Sequence, residues 1–313
     1  MGKEIKKVLI ISESVDGSTN KVIEWLISYG IKFERKNVDV DFKKFSININ
    51  NKLKTNFDNY IIWNRRGYIP ITPHKLYSNI WGNFLKQQQL TVIESIESFI
   101  NKQLISSYSK EYQNNKIINL QTAKECGFKV PKTIITNNKE DLFSFIKKNK
   151  SYITKSIYLP PNVETKEFKY FGSGTIELDL KNIDDFFAPS LIQEYVEKEF
   201  EIRVFFINNK FYPMAIFSQN DYKTKIDYRN YNIEKPNRNI PFKLPNNLEI
   251  KILKFINKLE CNSGSIDIIY STKKKYVFLE INPMGQYDWV SQYCNYNIDK
   301  KIAEMIKDKL LYE

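Results

Sequence analysis

The strongest constraint on this chain is a pair of apolar segments near its C-terminal end, GSIDIIY (264–270) and YVFLEINP (276–283). They flank a lysine-rich turn, Thr272–Lys275, and read as an antiparallel hairpin in which each strand carries one acid. A symmetric turn has its centre between Lys273 and Lys274, which sets Asp267 directly across from Glu280. Residues opposed in this way have Cβ atoms about 5 Å apart, a separation at which like charges repel. Asn282 lies two residues beyond Glu280 and therefore faces the same way. Two carboxylates and an amide are all oxygen donors, the set that suits Mg²⁺ shared with phosphates. A solvated face neutralised by the turn lysines is the alternative. The Ile, Phe and Leu around the acids argue for burial, which is costly for unpaired charge.

The rest of the chain reads as a mixed helix and strand protein. KVLIIS (7–12) is a buried strand, and Asp16-Gly17-Ser18-Thr19 offers caps for a helix over 20–29 that Gly30 ends. Strands near 32–38 and 59–64 complete an α/β unit without G-x-G-x-x-G, so no dinucleotide cofactor is assigned to it. A long amphipathic helix follows over 83–105, then a helix from Lys116, a strand through VPKTIIT and a helix over 138–149. Further strands are expected at 151–158 and 190–197. A hairpin turns at Asn208-Asn209, a helix spans 247–260, and a last helix runs over 298–311. The fold class expected is α+β, and 313 residues suffice for two or three packed modules.

Charge and composition narrow the chemistry. The net charge is +12, but only six of the 48 basic residues are arginine, leaving 42 lysines. Against that lysine background the arginines Arg35, Arg65, Arg66, Arg203, Arg229 and Arg238 are the more informative cations, because a guanidinium makes planar, bidentate contacts with carboxylate or phosphate. His74 is the sole histidine and sits in a proline-flanked loop, so serine or cysteine catalysis is not expected. The three widely spaced cysteines, Cys126, Cys261 and Cys294, read as reduced thiols. No run of about 18 apolar residues suggests a membrane span, and the opening MGKEIKKVLIISES lacks a signal-peptide core, so a cytoplasmic location is expected.

Between the first domain and the hairpin, the order of weak signals is specific. Lys155 lies on one strand, and Phe171–Thr175 is a glycine-bearing loop able to offer N–H groups to phosphate. Gln193-Glu194-Tyr195-Val196 then ends an apolar strand, and Glu201-Ile202-Arg203 opens the next. That order resembles the ATP-grasp family over about residues 110–313, with the ExNPxG run from Glu280 to Gly285 as its most specific piece. The resemblance implies that ATP is bracketed by Lys116 and Lys155 and covered by Gly172, Ser173, Gly174 and Thr175. It implies that the Gln193–Val196 hinge reads adenine and that Glu201 contacts ribose. Asp267, Glu280 and Asn282 match the metal-binding set for Mg²⁺, with Arg203 near the phosphates.

A narrower resemblance spans the whole chain. Trp63-Asn64-Arg65-Arg66, Asp227-Tyr228-Arg229 and Asn282-Pro283-Met284-Gly285-Gln286 look like the graspetide ligases, which include the microviridin-type and grasp-with-spasm maturases. Such enzymes phosphorylate Asp or Glu side chains of a ribosomal precursor peptide and condense them with Ser, Thr or Lys side chains, forming ω-ester or ω-amide macrocycles. The resemblance implies a leader-bearing precursor as partner, a homodimer, and Arg65 and Arg66 as substrate-side candidates. Arg229 is expected to meet a peptide carboxylate, with Asp227 orienting it or assisting proton removal. The domains expected are an N-terminal pre-ATP-grasp domain over 1–110, a central subdomain over 111–190 and a C-terminal subdomain over 191–313. Two rivals stand beside this reading. One is an ATP-grasp ligase that adds free amino acids to a small acid or a protein tail. The other is a basic nucleic-acid-binding protein, suggested by charge and the 41 Tyr and Phe residues, although no recognised motif supports it.

Overall fold

A computed structural model describes residues 7–37, 59–67, 79–100, 105, 110–111, 113–158, 162–164, 169–171, 174–181 and 183–312. The chain forms two compact units. One takes Met1–Gln113, Cys261–Gly264 and Pro283–Glu313, and the other Asn114–Glu260 and Ser265–Asn282. The first break between the units falls after Gln113. Residues from Pro283 onward, expected with the C-terminal subdomain, belong instead to the N-terminal unit.

The N-terminal unit begins with β1 (Lys7–Ser12), α1 (Gly17–Ser28), β2 (Phe33–Asn37) and β3 (Tyr60–Asn64). The three strands form a parallel sheet in the order β2-β1-β3, so β1–α1–β2 is a helical crossover. Central β1 has neighbours on both edges, which is why Val8, Leu9, Ile10 and Ile11 form a continuous apolar run and are all buried. Asp16 caps α1 by accepting from the N–H groups of Ser18 and Thr19. Gly30, with φ +68°, supplies the left-handed residue beyond the helix end. A long helix, α2 (Asn79–Ile100), lies in the same unit and starts four residues before the expected position.

The second unit carries α3 (Lys116–Glu125), β4 (Thr133–Asn138), α4 (Lys139–Phe145), β5 (Tyr152–Lys155), the small ribbon β6 (Asn162–Glu164) and β7 (Lys169–Phe171), and β8 (Thr175–Glu177). With β9 (Phe186–Glu194) these give a four-stranded sheet in the order β4-β9-β5-β8. The expected subdomain boundary at 190 falls inside β9; the change of sheet comes after Glu194. A second sheet of five strands holds β10 (Lys198–Ile207), β11 (Lys210–Phe217), β12 (Arg238–Pro241), β13 (Ser263–Ser271) and β14 (Tyr276–Asn282). Its order is β12-β11-β10-β13-β14, with α5 (Asn246–Lys258) in the same unit. Asn208 and Asn209, both at positive φ, make the expected two-residue turn between β10 and β11.

Helices α6 (Asp288–Cys294) and α7 (Ile298–Tyr312) return to the N-terminal unit. There the Trp25 indole N–H on α1 donates to Asp299 of α7 at 2.7 Å. Helix α6 lies in an aromatic stretch whose short length hides its helical period.

The β13–β14 hairpin confirms the pairing of Asp267 with Glu280 but not the symmetric turn. Close to the turn Tyr270 faces Tyr276, which centres the loop on Lys273, and Lys274 is left-handed at φ +57°. A β-bulge between Asp267 and Ile268 adds one residue on β14 and brings Glu280 opposite Asp267. The core of this unit is aromatic. Phe278 is wholly buried between Phe255 and Phe128, with ring centroids at 4.9 and 5.5 Å. Phe278→Ala is expected to cost about 3–5 kcal/mol, as deletion of a fully buried ring does; chemical denaturation followed by circular dichroism checks this.

Candidate active site

Asp267 is buried and Glu280 nearly so, and each is held by cations from other parts of the unit. Asp267 accepts from Arg203 Nη1 on β10 at 2.9 and 3.1 Å. The Tyr228 hydroxyl stands 3.0 Å from that nitrogen and 3.3 Å from Asp267 Oδ1. Asn282 Nδ2 donates to Asp267 Oδ2 at 3.3 Å, so all three members of the expected metal set meet on one face. Glu280 lies 3.5 Å from the Lys155 ammonium and 3.7 Å from Arg229 Nη1. Burial and the facing Glu280 push the Asp267 carboxyl above its ordinary range, with Arg203 pulling it back. Burial acts upward on Glu280 too, but Lys155, Arg229 and Lys116 outweigh it and hold that carboxyl low. Two acids side by side thus titrate apart, as a close like-charged pair must.

Lys116 opens α3, and its ammonium donates to the Ser156 carbonyl at 2.7 Å, beside Lys155. Burial lowers its pKa, Glu280 raises it, and the neighbouring Lys155 and Arg229 lower it again. A bare exposed helix-start lysine is therefore not what the fold makes of it. Asp227 and Arg229 form a bidentate pair with distances of 2.7 and 2.8 Å. Burial opposes ionisation of Asp227, but the Arg229 contact keeps its pKa low. Asp227 also accepts from the Thr175 N–H at 2.9 Å, which ties the foot of the glycine loop to the Asp-x-Arg segment. Gly174 is at φ +52°, and a Cβ there would lie 2.8 Å from Asp227 Oδ2, so only glycine fits this approach. Gly172 and Ser173 lie outside the described residues.

The expected adenine hinge is the segment from β9 to β10. The Glu194 and Tyr195 amides donate to Lys132 O and Ser151 O, both at 2.9 Å. Among the described residues the Val196 amide has no protein acceptor, which leaves it as the hinge N–H open to a ligand. Gln193 is different. It pairs with β4 and β5 on either side, is fully buried, and donates its Nε2 to Thr133 Oγ1 at 2.9 Å. It is a sheet-core residue with no surface turned to a ligand in this arrangement. Glu201 is also engaged, accepting from Lys198 Nζ and Ser218 Oγ, both at 2.5 Å. Burial raises its pKa and these two donors lower it. Both of its oxygens are thus already engaged by protein donors.

Arg65 and Arg66 belong to the N-terminal unit, where they border a cavity of about 470 Å³ together with Asp16, Ser18, Tyr287 and Trp289. Arg65 is consumed by the fold. It donates to Ser18 Oγ at 3.1 Å and to the Met284 carbonyl at 2.7 Å, and it lies 5.1 Å over the Tyr287 ring. Arg66 bonds Asp16 Oδ2 at 2.9 Å through Nε and leaves a third of its side chain exposed. Of the two substrate-side candidates, Arg66 is the one with a surface to offer.

Several contributors escaped sequence reasoning. Tyr228 sits inside the Asp-x-Arg segment, yet nothing in that spacing aims its hydroxyl at Arg203. Lys198 meets Glu201 although strand alternation puts residues three apart on opposite faces. Asp16 reads as a helix cap, and its second role as counter-ion to Arg66 needs β3 alongside. Among the described residues no group of three or more His, Cys, Asp and Glu gathers for a metal. The candidate set has two carboxylates with the Asn282 amide oxygen as third donor, and hard oxygen ligands of that kind fit Mg²⁺.

Comparison with known proteins gives this arrangement a family. The model of the RimK-like ATP-grasp domain matches residues 113–306, and the chain belongs to that family. Its fold is that of solved ATP-grasp ligases. An RiPP-associated ATP-grasp ligase of Chryseobacterium gregarium, solved with ADP and a leader and core peptide, is 25% identical. The likeness covers 97% of each chain with a TM-score of 0.80. The macrocyclase MdnC of Microcystis aeruginosa, bound with its precursor peptide MdnA, is 23% identical over 97% of this chain and 100% of its own, with a TM-score of 0.75. An uncharacterised protein of Methanocaldococcus jannaschii is 27% identical over 216 residues, 64% of this chain. The match spans about half, 49%, of that curated relative's length.

Removing one partner of the buried Arg203–Asp267 pair tests how strongly the site is held. Arg203→Met is expected to destabilise the protein by about 3–5 kcal/mol, because it strands a buried carboxylate. The double variant Arg203→Met/Asp267→Leu recovers much of that loss, and denaturation of all four proteins of the cycle measures the coupling.

Proposed function

We propose that this protein is an ATP-dependent ligase that phosphorylates Asp or Glu side chains of a ribosomal precursor peptide and condenses them with Ser, Thr or Lys side chains of that peptide, closing ω-ester or ω-amide rings. The observation that carries the reading is the likeness to the Chryseobacterium ligase over 97% of both chains, which takes in the N-terminal unit as well as the ATP-grasp part. Within the same reading the enzyme is cytoplasmic and homodimeric, and it recognises its substrate through a leader. Among the described residues no helix is long and apolar enough to cross a membrane.

The chemistry follows from the leaving group. A carboxylate cannot expel oxide, so its oxygen first takes the γ-phosphoryl group of ATP, giving an acyl phosphate and ADP. A hydroxyl or amine of the peptide then attacks the acyl carbon. Phosphate leaves with the C–O electron pair, and the nucleophile loses its proton. One water is lost per ring overall. Mg²⁺ would supply charge neutralisation at the transferring group. Asp267, Glu280 and Asn282 are the residues to hold it.

The other roles fall to cations already near that face. Lys116 and Lys155 neutralise the α- and β-phosphates, and Arg203 steadies the transferring group. Val196 and its hinge neighbours receive adenine through the backbone, and Glu201 the ribose. Thr175 and Gly174, held by Asp227, frame the phosphate-covering loop. Arg229 takes the carboxylate to be activated, with Asp227 orienting it and receiving the nucleophile's proton. Arg66 contacts the peptide on the N-terminal unit. The buried, opposed carboxylates have no purpose in a protein that only binds nucleic acid, whose contacts are cationic and sensitive to salt.

Mass spectrometry of a precursor peptide encoded beside this gene, coexpressed with the enzyme, is the test. Successive losses of water with wild type, absent with Glu280→Gln, are the expected outcome. An unchanged mass despite ATP binding would turn the assignment to a ligase that adds free amino acids. Arg229→Ala is expected to raise the KM for peptide by about 10-fold or more, the effect of losing a charged hydrogen-bond partner. The affinity for AMP-PNP should move far less. Equal losses in both would remove the peptide-specific role.

A further inference from the structure

The Glu194–Glu197 segment borders a second cavity, of about 590 Å³, within the same unit as the carboxylate pair. None of Lys116, Lys155, Asp267 or Glu280 lines it. Five lysines do: Lys129, Lys132, Lys150, Lys273 and Lys275. The acids among its lining residues are Glu194 and Glu197, which leaves an excess of three positive charges. Lys150 is neutralised by Glu194 at 2.8 Å. Among the described residues the other four lysines make no ion pair within 4 Å, and Lys132 and Lys273 act on Glu194 only from farther away.

These lysines are set apart by their gathering around one concavity from three stretches of chain. On the surface, Lys21, Lys258, Lys274 and Lys301 each meet an acid. Lys274 is the telling member, since it sits between two cavity lysines on one tight turn. Its left-handed backbone sends it to Glu199 and over the Tyr270 ring, while Lys273 and Lys275 line the cavity. The walls are tied together by backbone bonds. Glu194 N donates to Lys132 O and Tyr195 N to Ser151 O, both at 2.9 Å, and Thr272 N donates to Glu197 O at 3.1 Å. A formed concavity with several like charges gathered around it raises the local concentration of anions, and the overall charge of +12 steers them there.

We propose that this cavity is a docking site for a carboxylate-rich stretch of peptide, and, resting on the function proposed above, for an acidic segment of the precursor away from the residues that react. Carboxylates match ammonium groups spread around a cavity, because each lysine is a flexible point charge that needs no planar partner. The cavity shares Glu194, Tyr195 and Val196 with the adenine hinge and none of the phosphate-side or metal-side candidates, so the occupant lies beside the adenine end of the proposed nucleotide site.

Fluorescence anisotropy with a fluorescein-labelled hexaglutamate peptide tests the site independently of catalysis, with hexaglutamine as the neutral control. The triple variant Lys132→Glu/Lys273→Glu/Lys275→Glu changes only exposed side chains. It is expected to weaken hexaglutamate binding at low salt by at least about 10-fold, the scale of losing several charge contacts. Lys254→Glu, on α5 and outside the cavity, should change it by less than about threefold, in keeping with a remote screened charge. With the precursor, the triple variant should raise KM and leave kcat unchanged. Equal hexaglutamate affinity in the triple variant and wild type, or equal binding of hexaglutamine, overturns the proposal. So does tighter binding of a single-stranded oligonucleotide at the same lysines. If hexaglutamate binding follows the lysines while the precursor never loses water, the docking site stands and the ring-closing reading falls.

Discussion

Two carboxylates face each other across the β13–β14 hairpin, and the arrangement around them follows from the cost of holding them there. Buried like charges a few ångströms apart cannot both stay ionised without cations. Those cations come from separate parts of one unit: Arg203 from β10, Lys155 from β5, and Arg229 from the irregular segment after β11. Tyr228 and Asn282 fill remaining hydrogen-bonding positions around Asp267. A site of that kind is already balanced in charge before any ligand enters, and it presents oxygen donors and cations side by side. Transfer of a phosphoryl group to a carboxylate needs both.

The Asp227–Arg229 pair extends the same electrostatic network. Asp227 is bound by Arg229 through two guanidinium contacts and its backbone N–H, and by the Thr175 amide, so the glycine loop and the Asp-x-Arg segment share one carboxylate. Arg229 reaches Glu280 with its remaining nitrogen. A change at any member is therefore felt at the others, and single substitutions here report on a group of residues. In the N-terminal unit Asp16 plays a comparable part on a smaller scale, serving the start of α1 and Arg66 with one carboxylate.

Much of this was legible from local pattern. The alternation of apolar and acidic residues in GSIDIIY and YVFLEINP gave the hairpin, and the Asn208-Asn209 dipeptide gave its neighbour, because side-chain period and turn chemistry are properties of a few adjacent residues. The pairing of Asp267 with Glu280 came out right through a turn that is in fact asymmetric and a bulge that compensates for it. Gln193 was less legible. A polar residue at the end of an apolar strand looks available to a ligand, whereas β4 and β5 close over it from both sides. Arg65 and Arg66 are adjacent and chemically identical, and the environment separates them: one is spent on Ser18, Met284 and Tyr287, the other keeps an exposed face.

The sequence by itself determined the kinds of element, the presence of oxygen donors and cations of the types that a divalent cation and phosphates call for, and, through the order of its motifs, the ATP-grasp resemblance. These depend on short-range periodicity and on the chemistry of single side chains. Only the tertiary structure decided which cation answers which carboxylate, that Glu201 is shared with Lys198 and Ser218, and that residues from Pro283 onward join the N-terminal unit. It also gathered lysines from three separate stretches around one cavity. The physical reason is the same in each case. A contact between residues far apart in the chain is selected by burial and by the need to neutralise charge, and neither is visible until the strands have paired.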